Sequence, residues 1–175
     1  MLKAWNHFRT INAHRRKVIV HCYKTGILWQ GLCHDLSKYS PTEFLVGARY
    51  YSGKRSPNEV EREAYGYSVA WLHHKGRNKH HFEYWTDYNT KTKRIEPVEM
   101  PLCYVKEMFC DRIAASKTYL KGTYTNEQPL DYFLNGKERR NGTIHPETSK
   151  LLEEWLMMLA TKGEKETFKY VKSLK

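Results

Sequence analysis

The sequence has no apolar run of the roughly 18 residues that a membrane-crossing helix needs, and no stretch resembling a cleavable signal. Its four cysteines, Cys22, Cys33, Cys103 and Cys110, show no C-x-x-C spacing, which removes the common zinc and thioredoxin-like signatures. Such thiols are expected to be reduced, and the expected compartment is cytoplasmic, with no membrane partner. Cys103 and Cys110 would share a helical face as packing residues rather than zinc ligands. There is no run of five like charges, no internal repeat, no low-complexity tract and no alternating pattern longer than a few residues. With strands and tails set aside, the expected fold class is all-α, a single-domain helical bundle.

What is present is a strongly basic chain of 175 residues, long enough to bury a core without disulfide or metal staples. Thirty Lys and Arg against nineteen Asp and Glu give a net charge of +11, which concentrates anionic partners nearby and equally serves solubility. Nine histidines and thirteen tyrosines are the compositional oddity.

From about Trp5 to Leu28, Ile11, His14, Val18 and Cys22 recur at three- and four-residue steps, the buried stripe of an amphipathic helix. His14 therefore points inward, with His7 and His21 on roughly the same face. Ser40-Pro41-Thr42-Glu43 and Ser56-Pro57-Asn58-Glu59 read as N-cap, first-turn proline and capping box. The first begins a helix that reaches Tyr51; the second begins one running to about Lys75, with Gly76 as its stop and His73 and His74 in its last turn. Arg77 to Pro101 has no clean period and reads as a long loop between the third and fourth main helices. A helix from about Leu102 to Leu120 places Tyr104, Met108, Asp111 and Ala115 on one stripe. A carboxylate on that apolar stripe must be ion-paired, hydrogen-bonded or bound to metal. Further helices are expected near 130–133, over 146–160 and over 164–174, so that the core spans 5–121 and C-terminal helices span 126–175.

Cys33-His34-Asp35-Leu36-Ser37-Lys38 supplies an imidazole and a carboxylate on adjacent residues. On a helix such neighbours diverge by about a third of a turn and can reach one ion. With inward His14 and Asp111 they make a set suited to a divalent metal.

At these residues the chain resembles a bacterial branch of the HD-domain superfamily of metal-dependent phosphohydrolases. The order His14, His34-Asp35, Asp111 is that superfamily's ligand order; His14-Arg15-Arg16-Lys17-Val18 matches a histidine followed by three residues and a valine, and His34-Asp35-Leu36-Ser37-Lys38 the H-D-x-x-K form. The similarity spans about Asn12 to Ser116 and implies a bundle of helices. It implies that His14, His34, Asp35 and Asp111 hold a first metal, that Asp35 bridges to a second where one is present, and that His73 and His74 belong to the second site. Lys38 matches a lysine that steadies the phosphate or the attacking water, so Asp35 and Lys38 carry the catalytic expectation. One or two divalent ions, Zn, Mn, Fe or Ni, would serve hydrolysis of an anionic phosphomonoester or phosphodiester, a nucleotide among the candidates.

Several assignments stay open. His21 competes with His14, and His80 or His81 with His74. Arg77, Lys79, His80 and His81 are weak candidates for binding substrate phosphate; Arg77 and Lys79 read equally as solvated loop charges. The superfamily's ligand set also supports di-iron oxygenases. A third reading is a basic nucleic-acid-binding module, with Tyr84, Trp85 and Tyr88 stacking on bases and Lys91, Lys93 and Arg94 meeting phosphates.

Overall fold

Three long helices with apolar stripes decide the architecture. In a computed structural model, which describes residues 2–136 and 141–175, these are α1 (Leu2–Lys24), α6 (Leu102–Leu120) and α8 (Pro146–Ser173). Val18 and Cys22 of α1, Met108, Phe109 and Ile113 of α6, and Trp155 and Phe168 of α8 are buried together. Phe109 sets its ring edge-on to both Trp155 and Phe168. Each large apolar side chain buried there stabilises the fold by about 1.5–3 kcal/mol before entropy is counted. Phe133 of α7 (Gln128–Asn135) joins the same cluster, so the C-terminal helices and the N-terminal ones share one core and form a single domain. Gly163, at φ 77°, kinks α8 where the sequence predicts a break between two helices. Among the described residues no helix is long and apolar enough to cross a membrane.

Shorter elements differ from the sequence reading in instructive ways. The first helix stops at Lys24 because Gly26 turns left-handed, and α2 (Leu28–Cys33) folds back against α1. The single helix expected from Pro57 to Lys75 is two, α4 (Pro57–Tyr65) and α5 (Val69–Lys75). Gly66 caps α4 with φ 79°, and the Ser68 hydroxyl accepts the Trp71 N–H to start α5. Neither expected capping box forms: Ser40 before α3 (Pro41–Tyr50) and Ser56 before α4 make no side-chain cap bond. Most of the expected long loop is ordered by a hairpin, β1 (Thr86–Asn89) paired antiparallel to β2 (Arg94–Pro97) with Tyr88 opposite Ile95. Its strands are four residues each and largely exposed, so no buried face left an alternating signature.

Candidate metal centre

The His34-Asp35 pair does not lie on a helix, contrary to the geometry inferred from adjacency. It occupies the turn between α2 and the 3-10 turn Leu36–Tyr39, and Asp35 takes a left-handed backbone, φ 54°. Such a conformation costs a non-glycine residue about 1–2 kcal/mol, and Asp tolerates it better than most. Arg15 of α1 holds the turn in place: its Nε donates to the His34 carbonyl and its Nη2 to the Leu32 carbonyl, both at 2.8 Å. The turn is thereby fixed beside His14, one residue before Arg15.

One group of donors then converges. His14 Nε2 stands 3.0 Å from Asp111 Oδ1, and His34 Nε2 stands 3.2 Å from Asp35 Oδ2 and 3.5 Å from Asp111 Oδ1. Neighbouring ligands on an ion with bonds of about 2.1 Å are themselves about 3.0–3.4 Å apart, so these atoms fit the edges of a coordination shell. A second group uses the other oxygen of Asp35. His74 Nε2 lies 3.2 Å and His80 Nε2 3.6 Å from Asp35 Oδ1, and His81 Nε2 lies 2.9 Å from His74 Nε2. Asp35, His74, His80 and His81 could therefore hold one cation, and His14, His34 and Asp35 another.

The Nδ1 atoms of His34, His74 and His80 are engaged by two carboxylates. Glu107 Oε1 accepts from Nδ1 of both His34, at 2.9 Å, and His80, at 3.1 Å. Glu43 accepts from His74 Nδ1 through Oε2 and from His73 Nδ1 through Oε1, each at 2.7 Å. A proton fixed at Nδ1 leaves Nε2 as the bare donor, the arrangement that orients metal-binding histidines. His14 Nε2, His34 Nε2, His80 Nε2 and Asp35 Oδ1 are buried without any hydrogen-bond partner. Buried polar atoms are rarely left so, and cations held by the two groups would satisfy them.

The charges are strongly coupled. Burial pulls His34 toward neutrality, but Asp35, Asp111 and Glu107 outweigh it and hold its pKa well above the ordinary histidine value. Burial is likewise overcome at His74, whose pKa is raised by Asp35 and Glu43. Against the cost of burial, Asp35 is held well below the usual carboxylate range by His34, Lys38 and His74, and Asp111 by His14 and His34. His14 and His81 are pushed down, first by burial, His81 also by His80 and His74. A metal binding at His34 and His74 would compete with protons for the same Nε2 atoms. Lys38 donates to Asp35 Oδ2 at 2.6 Å while its side chain stays 32% exposed, and Asp111 is 20% exposed, which marks the open side of the cluster.

The structure brings together His14, His34, Asp35, Lys38, His74, His80, His81 and Asp111. His73 is not among the donors: it points its Nδ1 at Glu43, one carboxylate removed, because successive residues of α5 face different sides. His21 is not either; its Nδ1 lies 3.3 Å from the Cys110 carbonyl and its ring stacks on Phe168, two turns along α1 from His14. The Arg77 side chain donates to the His73 carbonyl and Lys79 lies over the Tyr84 and Tyr104 rings, and among the described residues neither side chain is ion-paired or hydrogen-bonded to a donor atom of the cluster. Trp85 donates Nε1 to the Lys79 carbonyl and packs on Tyr104, so it fastens the loop. Glu107, Glu43 and Arg15 escaped the sequence reading. Glu107 had a signal, a second carboxylate four residues before Asp111 on an otherwise apolar stretch; Glu43 was hidden by its fit to a capping box, and Arg15 had none.

Residues 3–158 match the model of one protein family, described as a family of unknown function (DUF5662). No curated protein and no solved structure matches the chain.

Proposed function

We propose that this chain, which belongs to the DUF5662 family of unknown function, is a metal-dependent phosphohydrolase of the HD type acting on a phosphomonoester or phosphodiester. The observation that carries the proposal is the convergence of buried, unpartnered donor atoms from His14, His34, Asp35 and His80. The order His14, His34-Asp35, Asp111 resembles the ligand order of the HD superfamily. One or two divalent ions bound there would supply water activated near neutral pH and neutralise charge on the phosphoryl group. His14, His34, Asp35 and Asp111 are the residues for the first ion, and Asp35, His74, His80 and His81 those for the second. Lys38 donates one N–H to Asp35 and keeps two N–H donors for a phosphate oxygen at the open side. The basic surface draws an anionic ester toward it.

The test is elemental analysis of the purified protein together with hydrolysis of p-nitrophenyl phosphate and bis(p-nitrophenyl) phosphate in Mn, Zn, Ni or ferrous iron. One or two ions per chain are expected, and Asp35→Ala should lose metal and at least 100-fold in turnover while keeping its helical circular dichroism. Turnover that survives Asp35→Ala overturns the assignment. The three histidines around Asp35 Oδ1 favour a second reading, a di-iron oxygenase, since imidazole-rich sets suit iron. Two irons per chain with no ester hydrolysis in any metal would select it.

A further inference from the structure

We propose that the groove between α1 and the C-terminal end of α6 binds single-stranded nucleic acid and leads its backbone to the open side of the metal cluster. This rests on the phosphodiester form of the function proposed above and names its substrate class.

The groove has a volume of about 1220 Å³, beyond the roughly 300–1,000 Å³ of small-molecule sites. Its α1 wall runs from Trp5 to Lys17, about 18 Å at the helical rise. Every charged residue that lines it is a cation: Arg9, Arg16, Lys17, Lys117 and Lys121, in a chain that carries nineteen acidic residues. Lys117 is paired with Glu164; Arg9, Arg16 and Lys121 make no ion pair among the described residues. Arg9 and Arg16 are separated by about 10 Å along α1, a span that suits successive phosphates of a strand better than the single phosphate group of one nucleotide.

Aromatic faces lie at the N-terminal end of the α1 wall, next to Arg9. Trp5 is 58% exposed and Phe8 38%, and their rings stack on each other at 5.8 Å although neither contributes to the core. A cationic track with exposed aromatic platforms is the arrangement on which single strands stack their bases while phosphates meet Lys and Arg. An acidic peptide would leave those platforms unused.

The groove runs beside the cluster, although no residue of the cluster lines it. Ala13 in its wall precedes His14, and the Tyr51 hydroxyl bonds to Thr10 at 2.7 Å, one turn before that histidine. Tyr119, on the opposite wall, feels the charges of Lys38 and Asp111, both partly exposed members of the site.

Fluorescence anisotropy with 5′-fluorescein-labelled dT12 and U12, between 50 and 200 mM NaCl, tests the proposal. Binding to either strand should weaken with salt, and Arg9→Glu/Arg16→Glu/Lys121→Glu should weaken it at least tenfold. The same triple variant should reduce the slope of log K against log salt by about 2, at roughly 0.7 per cation lost. Trp5→Ala should weaken binding about tenfold, within the range for loss of one stacking face. Both variants should keep wild-type helical circular dichroism and manganese stoichiometry. EDTA-treated protein should still bind, within about threefold, because the groove cations are not ligands. No binding at 50 mM NaCl, binding indifferent to the triple reversal, or thymidine monophosphate competing as well as dT12 would each overturn the strand. If strands bind but bis(p-nitrophenyl) phosphate is never cleaved, the hydrolase reading fails and the groove stands; cleavage without strand binding does the reverse.

Discussion

A single oxygen of Glu107 accepts from both His34 and His80, one imidazole from each donor group. Loss of that charge should loosen both groups together: Glu107→Gln is expected to lower affinity for each ion about 10–100-fold, the usual cost of removing an outer carboxylate. Chelator-competition titration with Zn reads it, and an effect confined to one ion would show that the groups are independent. His73→Ala, outside the donor set, should leave metal stoichiometry unchanged in the same titration. Lys38→Ala should keep its metal and lose about tenfold or more in turnover; full turnover would remove the lysine from the chemistry. His21 supplies a pH test away from the metal. Burial, then Lys117, lowers its pKa to about 4 in the fold, against about 6.5 unfolded. Below pH 6.5 the unfolded chain takes up that proton first, so this contribution to stability is lost as pH falls toward 4, at no more than about 1.4 kcal/mol per pH unit. Urea unfolding of EDTA-treated His21→Gln should therefore show a shallower loss between pH 7 and 5 than the unmodified chain.

Among the elements, α1 and α6 were legible as helices because each presents a long apolar stripe; on α1 it turned His14 inward, whereas on α6 the buried face runs through Val105, Phe109, Cys110 and Ile113 and leaves Tyr104, Asp111 and Ala115 of the expected stripe half-buried at its edge. The turn carrying His34 and Asp35 was not, since a left-handed aspartate leaves no periodic mark and is held by Arg15 from another helix. Element α3 shows how a local rule can mislead. Glu43 obeys the capping-box pattern, yet two histidines of α5 offer it hydrogen bonds in a buried place, and those outweigh a solvent-exposed cap. Its helix is seated on α1 through Gly47, where any Cβ would fall within the His7 ring. Gly47→Ala should thus destabilise the protein by about 1–3 kcal/mol, the range for overpacking, and displace Glu43 so that the second ion binds more weakly. A His7→Ala change made with it should restore part of the urea midpoint; no restoration would place the strain elsewhere.

Across the whole molecule, the candidate ligands come from α1, the turn after α2, α5, the loop before the hairpin, and α6, so a bound ion would tie together segments spread from residue 14 to residue 111. Metal should therefore raise the melting temperature, by the equivalent of about 2.7 kcal/mol for each site at 100 times its dissociation constant, and EDTA should reverse it. A melting temperature unmoved by Mn, Zn, Ni and ferrous iron would mean that no ion bridges these segments. By itself the sequence determined the helical class, the inward face of α1, the basic balance and the pairing of His34 with Asp35, because periodicity and adjacency are properties of a few neighbouring residues. Only the tertiary structure placed His14 rather than His21 beside Asp35, set His73 against Glu43, brought His80 and His81 to the side of Asp35 where His74 stands, and put Glu107 and Glu43 behind the imidazoles. Those choices depend on which side chains from distant segments meet within about 3 Å, a distance that hydrogen-bonding and coordination geometry impose in space and that sequence separation does not encode.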